Sequence, residues 1–412
     1  MFKRLYIILC LALLAFGRVL AYGDSIRVTL LTCSPGQEAY AIYGHTAIRC
    51  QRPEADEDIV FNYGVFDMSK PNFVWRFILG QTDYMVAAGP WEYFRREYEA
   101  TGQHVSEQEL NLTHSEASML LGQLTENCQP ENCGYRYNFL RRNCTTMARD
   151  AVEQVIRGHI LYPDTLPHLT YRQILHRYTA PYPWMQEGID LLLGAEVDTI
   201  LSPRAAMFIP DNLMQAFEGA IVLDGKGNQR PLVKSRQELL PTALADNDSL
   251  AEATDTEALQ GESNVSQEEG LYVSVEKAIA IALALCIFIV LLEAWTKRLF
   301  WLWDVLLLLL QGSAGLLLTF MFFFSEHPAV GSNWQIWLLN PIALIGIPLV
   351  IKSAISRQPT LWYAFQFTLL ALFLSFSPWI PQVFARITVP LALCLLTRPL
   401  SYYYLRSRKK TS

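Results

Sequence analysis

The residues of this chain best suited to chemistry are a cysteine and a histidine that lie far apart in the sequence. Cys144 stands just before a helical pattern in which the apolar residues from Met147 to Ile156 form one face. At a helix N-terminus, unpaired N–H groups and the helix dipole favour a negative charge, and the thiolate is the nucleophilic form of cysteine. Cys144 is therefore predicted to be a nucleophile. The alternative is a buried structural cysteine, because free cysteine is among the most buried residue types.

A thiol nucleophile needs a base within hydrogen-bond reach and a third polar group that orients the base. His45, at the start of a predicted strand, is the predicted base, although a histidine on a strand also suits a structural role. If this strand and the next form a hairpin around the acidic loop 53–58, His45 lies opposite roughly Gly64, and alternation places Asn62 on the face of His45. Asn62 is thus the predicted orienting residue, with Asp67 as the fallback.

Short strands and helices must position these residues. Runs of β-branched and apolar residues predict three strands, at 26–33, 46–50 and 59–66. Helical periodicity predicts two helices before the Cys144 segment, at 91–98 and 115–126. This mixture of elements predicts an α+β domain.

The N-terminus has the pattern of a secretory signal peptide over residues 1–21. Lys3 and Arg4 form a charged start, Leu5 to Phe16 an apolar core, and Val19-Leu20-Ala21 a small-residue cleavage site. The apolar core is too short to span a membrane comfortably. We therefore expect the mature chain to begin outside the cytoplasm, where disulfides persist.

The exported part holds five cysteines, an odd number, so at least one stays free or pairs with another chain. Cys128 and Cys133 bracket a short loop and are predicted to form a local bridge. Cys33 and Cys50 are predicted to form a second bridge. Cys144 would then be the thiol left over, although Cys33 could be the free one instead.

The C-terminal third of the chain has the composition of a membrane domain. The whole sequence is 51% hydrophobic, with a mean hydropathy of +0.18, which indicates a mixed soluble and membrane chain. Five apolar segments, each about 17–23 residues, are long enough to span, at roughly 273–292, 302–324, 335–351, 361–377 and 380–397. The preceding segment, 242–270, has eight Asp or Glu and no Lys or Arg, which predicts a disordered tether.

The charges between these segments predict their orientation. Basic residues follow the first, third and fifth segments, and basic loops face the cytoplasm. The tail is therefore predicted to be cytoplasmic and Trp334, Trp337 and Trp379 to lie at the outer interface. Arg386 is predicted to lie within the last span and to extend towards the headgroups, although a charge inside a membrane is often functional.

These patterns divide the chain into six predicted parts. They are the signal peptide (1–21), a catalytic domain (22–158), an extension that packs on it (159–241), the acidic linker (242–270), a transmembrane domain of five helices (271–400) and a basic cytoplasmic tail (401–412). The other exported histidines lack metal-ligand spacing, and no zinc pattern, phosphate loop or Gly-x-Ser-x-Gly elbow is present. We therefore expect no metal, no other cofactor and no nucleic-acid partner.

Several motifs resemble a known family. Those that carry the resemblance are Leu30-Leu31-Thr32-Cys33-Ser34-Pro35-Gly36, Tyr43-Gly44-His45-Thr46-Ala47-Ile48-Arg49, Asn62-Tyr63-Gly64 and Asn138-Phe139-Leu140-Arg141-Arg142-Asn143-Cys144-Thr145-Thr146. They are similar to the N-terminal periplasmic domain of the Lnb family of bacterial lipoprotein N-acyltransferases. The order of histidine on an early strand and cysteine on a later helix also resembles the permuted papain-like (NlpC/P60-like) fold of the lecithin–retinol acyltransferase kind. The implied fold is such an α+β domain followed by a bundle of five membrane helices.

The resemblance implies a reaction in lipoprotein maturation at the bacterial inner membrane. An acyl chain would pass from a phospholipid, through a thioester on Cys144, to the N-terminal amine of a diacylglyceryl-cysteine lipoprotein. His45 and Cys144 match the motifs directly, whereas the resemblance does not place the third group. Three alternatives stay open: a membrane-tethered cell-wall peptidase or amidase, a phospholipase, and a non-catalytic sensor, which the short predicted cytoplasmic tail disfavours.

Overall fold

The structure is a computed structural model that describes residues 25–67, 69, 71–240 and 273–411. The predicted signal peptide (1–21) and the predicted acidic linker (242–270) lie outside the described residues.

An antiparallel sheet of seven strands forms the frame of the exported domain. Its strands are β1 (Arg27–Cys33), β2 (His45–Arg52), β3 (Glu57–Val65), β4 (Asp83–Pro90), β5 (Val105–Leu110), β6 (Gly134–Arg136) and β10 (Val233–Leu240). Their order across the sheet is β10-β5-β1-β2-β3-β4-β6. The three predicted strands are therefore present as β1, β2 and β3. A smaller sheet has the order β7-β8-β9, with strands His159–Leu161, Ile221–Leu223 and Gln229–Pro231.

Helices cover the sheet and connect its strands. They are α1 (Phe73–Ile78), α2 (Trp91–Thr101), α3 (His114–Asn127), α4 (Cys144–Val155), α5 (Tyr171–Thr179), α6 (Pro183–Leu192), α7 (Pro203–Ala206) and α8 (Pro210–Glu218). The helices predicted at 91–98 and 115–126 correspond to α2 and α3.

The middle of the sheet is buried on both faces. Alternate residues of β2 and β3, such as Ile48 and Phe61, share a core with Val152 of α4. The residues between them, such as Val60, share a second core with Phe94 of α2. Because a shift of one residue would exchange the two faces, the packing fixes the register of β2 against β3.

The extension at 159–241 packs on the first part of the chain, as predicted. Phe208 and Phe217 are fully buried in the same core as Leu30 and Val152. Strand β10 also pairs with β5 and so enlarges the main sheet. The extension therefore shares both a core and a sheet with the residues before it.

The predicted bridge between Cys33 and Cys50 is wrong. Cys33 pairs with His45 at one end of β1 and β2, whereas Cys50 pairs with Val28 five positions along. Five strand positions span about 17 Å, and a disulfide needs Cα atoms within about 7 Å. Both are free, buried thiols.

Cys128 and Cys133 are also free thiols in the structure. The thiol of Cys133 donates to the carbonyl of Pro130 over 3.6 Å. The two cysteines lie close enough for the charge of Cys133 to raise the pKa of Cys128, after the larger effect of burial. A bridge between them stays a prediction.

Five long helices follow: α9 (Val275–Thr296), α10 (Trp301–Phe324), α11 (Ile342–Ser356), α12 (Trp362–Phe376) and α13 (Thr388–Thr411). Within the described residues, three segments are long and apolar enough to span: α9, α10 and the run Trp334–Ser356, which ends in α11. Helix α12 has only 15 residues, and α13 begins later than the predicted start at 380 and continues through the basic tail. Five spans and a cytoplasmic tail stay predictions.

Arg386 does not lie within a spanning helix, so the interpretation that its side chain extends from the last span towards the headgroups is wrong. It precedes α13, and its guanidinium bonds Glu187 of α6 over 2.5 Å and Glu276 of α9 over 2.8 Å. Arg386 thus ties the exported domain to two membrane helices. These contacts hold the chain before Thr388 in a loop.

Loops of the membrane domain contact the exported domain directly. The Gln335 side chain donates to the carbonyl of Asp190 over 2.8 Å, and the N–H of Val383 donates to Asp198 over 3.0 Å. Trp334, Trp337 and Trp379 lie in or beside the same loops and are exposed. They therefore lie at the end of the membrane domain that contacts the exported domain, and their place at the outer interface stays a prediction.

A buried arginine fixes the segment that receives these loops. Arg172 of α5 bonds Asp190 over 2.7 Å and Asp198 over 2.7 Å, and all three side chains are almost completely buried. Since buried charges are costly unless they are paired, the guanidinium stabilises both carboxylates. His176 also bonds Asp190, and the N–H of Val383 also donates to Asp198.

We expect Arg172→Leu to lower the free energy of unfolding by about 3–5 kcal/mol, because two buried carboxylates would lose the positive charge that both of them bond. Thermal unfolding of the detergent-solubilised full chain measures the change. Arg177→Leu is the matched control, since Arg177 is exposed on the same helix. Equal unfolding midpoints for the two variants would show that the Arg172 ion pairs do not stabilise the segment that contacts the membrane loops.

Candidate active site

Cys144 is the first residue of α4, as the sequence predicts. Asn143 caps this helix. Its side chain accepts a hydrogen bond from the N–H of Thr146, and the Thr146 hydroxyl accepts one from the N–H of Asn143. Both bonds are 2.9 Å. The Asn143 amide also donates to the carbonyls of Phe139 and Phe208. This capping box fixes where the helix starts and therefore where the thiol lies.

His45 opens β2 because of the glycine before it. Gly44 has φ +74°, and a Cβ there would lie 2.5 Å from the carbonyl oxygen of Cys33, so a larger residue would push the two strands apart. The imidazole is half-buried at the end of the strand. The imidazole lies close enough to the thiol of Cys144 for each group to shift the pKa of the other, so the two predicted residues are brought together.

Asn62, the predicted orienting residue, contacts the imidazole. Its Oδ1 lies 3.1 Å from Nε2 of His45. An amide oxygen only accepts, so this contact is a hydrogen bond when Nε2 carries the proton, and Nδ1 is then the nitrogen that can take up a proton. Asp67, the fallback, lies in an exposed turn where it accepts from the N–H and the hydroxyl of Ser69.

The β2–β3 register places these groups at one end of the sheet. Ala47 pairs with Asn62, so two residues earlier His45 falls opposite Gly64, in agreement with the prediction. The pairing of β3 with β4 shifts at Gly64, where φ is +92°. A Cβ there would lie 3.6 Å from Cβ of Cys144 and 4.0 Å from the hydroxyl of Tyr135. Gly64 thus leaves the space beside the thiol open.

The electrostatics of the pair favour ionisation. Burial alone would raise the pKa of Cys144, but the positive charge of His45 and its hydrogen bond outweigh that effect, so the pKa falls from 9.0 to about 7. For His45, burial lowers the pKa, but the charge of Cys144 and hydrogen bonds from Cys144 and Asn62 raise it above 6.5 overall. Near pH 7 the thiolate and the imidazolium therefore stabilise each other.

Three further groups at the site escape sequence reasoning. The N–H of Thr46 and the hydroxyl of Thr145 both bond the sulfur and help to lower the pKa of Cys144. The hydroxyl of Tyr135 is buried and has no hydrogen-bond partner among the residues that the structure describes. After burial itself, the charge of Cys144 is the next largest cause of the raised pKa of Tyr135. Thr46 follows His45 and Thr145 follows Cys144 in the sequence, and this adjacency is the signal that could have identified the two threonines. Nothing in the sequence indicates Tyr135.

The remaining exported histidines lie away from the pair or serve other contacts. His176 bonds Asp190 over 2.9 Å, His104 bonds Glu238 over 2.6 Å, and His168 is exposed beside Asp164. The described residues contain no group of three or more His, Cys, Asp or Glu side chains arranged to hold a metal ion.

Fold and site together define a class: a membrane protein whose exported α+β domain presents a cysteine–histidine pair. Two family models match the chain, the Lnb N-terminal periplasmic domain over residues 21–177 and the Lnb transmembrane domain over residues 275–410. The chain belongs to the Lnb family, with a periplasmic domain and a transmembrane domain in the inner membrane. No curated protein and no solved structure matches it.

Family membership indicates a membrane protein of the lipoprotein N-acylation type. It is also consistent with an acyltransferase enzyme.

We expect His45→Ala to return the pKa of Cys144 to 9 or above, because the variant removes the charge and the hydrogen bond that lower it. Thiolate forms above its pKa, so alkylation of Cys144 in the native protein should rise with pH through about 7. At pH 7 the alkylation of Cys144 in the variant should be at least about fiftyfold slower. The rate should recover at higher pH.

The folded protein is treated with iodoacetamide and then digested, and mass spectrometry of the Cys144 peptide gives the rate. His168→Ala is the matched control, since it removes an exposed imidazole elsewhere. An unchanged pH profile in His45→Ala would show that the imidazole does not set the thiol's ionisation.

Proposed function

We propose that the chain transfers an acyl chain from a phospholipid, through a thioester on Cys144, to the N-terminal amine of a diacylglyceryl-cysteine lipoprotein. The observation that carries this proposal is the series Cys144–His45–Asn62 at the N-terminus of α4, in which His45 contacts Asn62 over 3.1 Å and lowers the pKa of Cys144. The order of histidine before cysteine supports the predicted permuted papain-like relationship.

The first half-reaction forms the thioester. Sγ of the Cys144 thiolate attacks an ester carbonyl carbon of the phospholipid, and the C–S bond forms. When the tetrahedral intermediate collapses, the ester C–O bond breaks and the leaving glycerol oxygen takes the proton held on Nδ1 of His45. A lysophospholipid departs, and His45 is left neutral.

The second half-reaction uses the same residues in reverse. The lipoprotein amine attacks the thioester carbonyl, and Nδ1 of His45 accepts a proton from the amine as the C–N bond forms. The C–S bond breaks and the thiolate is restored beside the imidazolium. One site thus admits two substrates in turn, which is a ping-pong scheme.

Each tetrahedral intermediate carries a negative oxygen that needs donors. The N–H of Cys144 lies in the first turn of α4, where main-chain N–H groups have no partner within the helix. The unpartnered hydroxyl of Tyr135, on the open side of Gly64, is a second donor. A buried donor without a partner is costly in the resting protein and gains a bond when the oxyanion forms.

The membrane attachment supports lipid substrates. Both proposed substrates have acyl chains that stay in the bilayer, so the reaction must occur at the membrane surface. Contacts from Gln335 to Asp190 and from Arg386 to Glu187 hold the exported domain against the membrane loops. With the exported domain in the periplasm, the pattern of basic loops favours a cytoplasmic C-terminus.

We expect Cys144→Ser and His45→Ala to abolish the third acyl chain on lipoproteins in cells that lack other N-acyltransferases. Both variants remove a group that forms or breaks a bond in each half-reaction. Mass spectrometry of lipoprotein N-terminal peptides counts the chains. Cys133→Ser is the matched control, because it removes a partly buried free thiol that bonds the carbonyl of Pro130 and takes no part in the pair.

Triacylated product in the Cys144→Ser strain would end the proposal. Free fatty acid without acylated peptide would favour a phospholipase instead. Release of muropeptides by the purified protein would favour a cell-wall peptidase.

We expect Tyr135→Phe to slow formation of acyl-Cys144 by about tenfold to a hundredfold, because one oxyanion donor is lost. The fold should persist, since the hydroxyl has no partner to lose. Intact-protein mass spectrometry after rapid quench gives the rate. Tyr162→Phe removes a hydroxyl that donates to Glu153 and serves as the control. Equal rates in the two variants would assign the oxyanion to main-chain donors alone.

A further inference from the structure

Helix α1 exposes apolar side chains that a soluble domain would bury. Three of its six residues are large, apolar and exposed: Val74 (71%), Trp75 (53%) and Phe77 (48%). An exposed apolar cluster of this kind marks an interaction surface.

The position of α1 beside the membrane domain indicates what covers this surface. The Trp75 ring lies 5.1 Å from the ring of Phe320 in the last turns of α10, a candidate span. Phe323 and Phe324, at the end of that span, are 68% and 64% exposed. Phe320 lies about 6 Å along the axis from the end of α10, so Trp75 lies level with the span and not above it.

Hydrogen bonds fix α1 at this level. The hydroxyl of Ser325 donates to the carbonyl of Ile78, and the N–H of Glu326 donates to the carbonyl of Leu79; both bonds are 2.8 Å. Arg136 also bonds the Glu326 carboxylate over 2.5 Å. The end of α1 is therefore joined to the loop that leaves the span.

A series of aromatic rings leads from α1 to the nucleophile. The ring of Phe73 lies 6.1 Å from that of Phe66, Phe66 lies 5.0 Å from Tyr84, and Tyr84 lies 4.1 Å from Tyr137. Tyr137 is close enough to Cys144 for the charge of the thiolate to raise its pKa, after the larger effect of burial. The outer rings of this series, Phe66 and Phe73, are only partly buried.

We propose that α1 inserts into the outer leaflet of the membrane and delivers one acyl chain of a glycerophospholipid along Phe73, Phe66 and Tyr84 to Cys144. Apolar rings suit an acyl chain, and tryptophan favours the membrane interface. The insertion stands on the exposed residues of α1 and on their contact with α10. The delivery step rests on the proposed function.

Insertion is tested without any catalysis. The full chain is placed in nanodiscs of phosphatidylcholine that contains a phospholipid with a diazirine in its acyl chain, irradiated and digested. Mass spectrometry should find crosslinked lipid on 73–78. It should find none on α2, where the exposed Tyr93 provides the comparison. Crosslinks confined to the membrane helices would overturn the insertion.

Delivery is tested by a triple variant, Val74→Ser with Trp75→Ser and Phe77→Ser, against Tyr93→Ser as the matched control. Formation of acyl-Cys144 from bilayer phosphatidylcholine should fall about tenfold in the triple variant, because apolar contact with the membrane is lost. Formation from monomeric dihexanoyl phosphatidylcholine, which needs no extraction from a bilayer, should be unchanged. The control should match the original protein with both donors.

An equal fall with both donors would overturn the delivery step, because it would show damage to the site itself. Failure of the proposed function has a different signature: the unaltered protein would form no acyl-Cys144 from either donor. In that case delivery fails as well, while crosslinks on 73–78 would still establish that α1 meets the membrane.

Discussion

The electrostatic pairing of the Cys144 thiol with the His45 imidazole is the interaction that the surrounding structure holds in place. Neither partner could be kept in place by its own segment alone. The thiol is fixed by the capping box of α4, and the imidazole by the start of β2 and by Asn62 on β3. Because β2 and β3 are buried on both faces, their register cannot shift without exchanging the two cores. The packing of the sheet therefore controls the ionisation of the thiol.

Much of this site could be predicted because its signals are local or periodic. The apolar face after Met147 predicts the helix that begins at Cys144, and strand alternation brings Asn62 to His45. The failures have a common physical cause, since each needed tertiary information. The Cys33–Cys50 pairing depended on the register of β1 against β2, and the place of Arg386 depended on carboxylates far away in the chain. Tyr135 is identified only by a missing hydrogen bond.

The membrane domain illustrates the same limit. Hydropathy finds apolar segments, but it does not find where a helix starts when a loop is held by another domain. The contacts of Val383 and Arg386 with the exported domain keep the residues before Thr388 out of the helix. Composition alone therefore made the last segment begin too early. Contacts between the exported domain and the membrane domain thus determine where the last helix begins. The residues of either domain alone do not predict that position.

The hydrogen bonds between the membrane loops and the exported domain have a consequence for how such chains can diversify. The membrane loops contribute side chains, Asn333, Gln335 and Ser325, whereas the exported domain contributes main-chain carbonyls, those of Leu191, Asp190 and Ile78. Every residue type supplies a carbonyl, so at these three positions the exported domain is free to vary while the loops are constrained. Elsewhere the exported domain contributes the side chains of Glu187, Asp198 and Arg136. We expect hybrid chains that exchange exported domains between relatives to dock correctly, provided that the loops keep their amides and hydroxyl and the exported domain keeps these three charged residues.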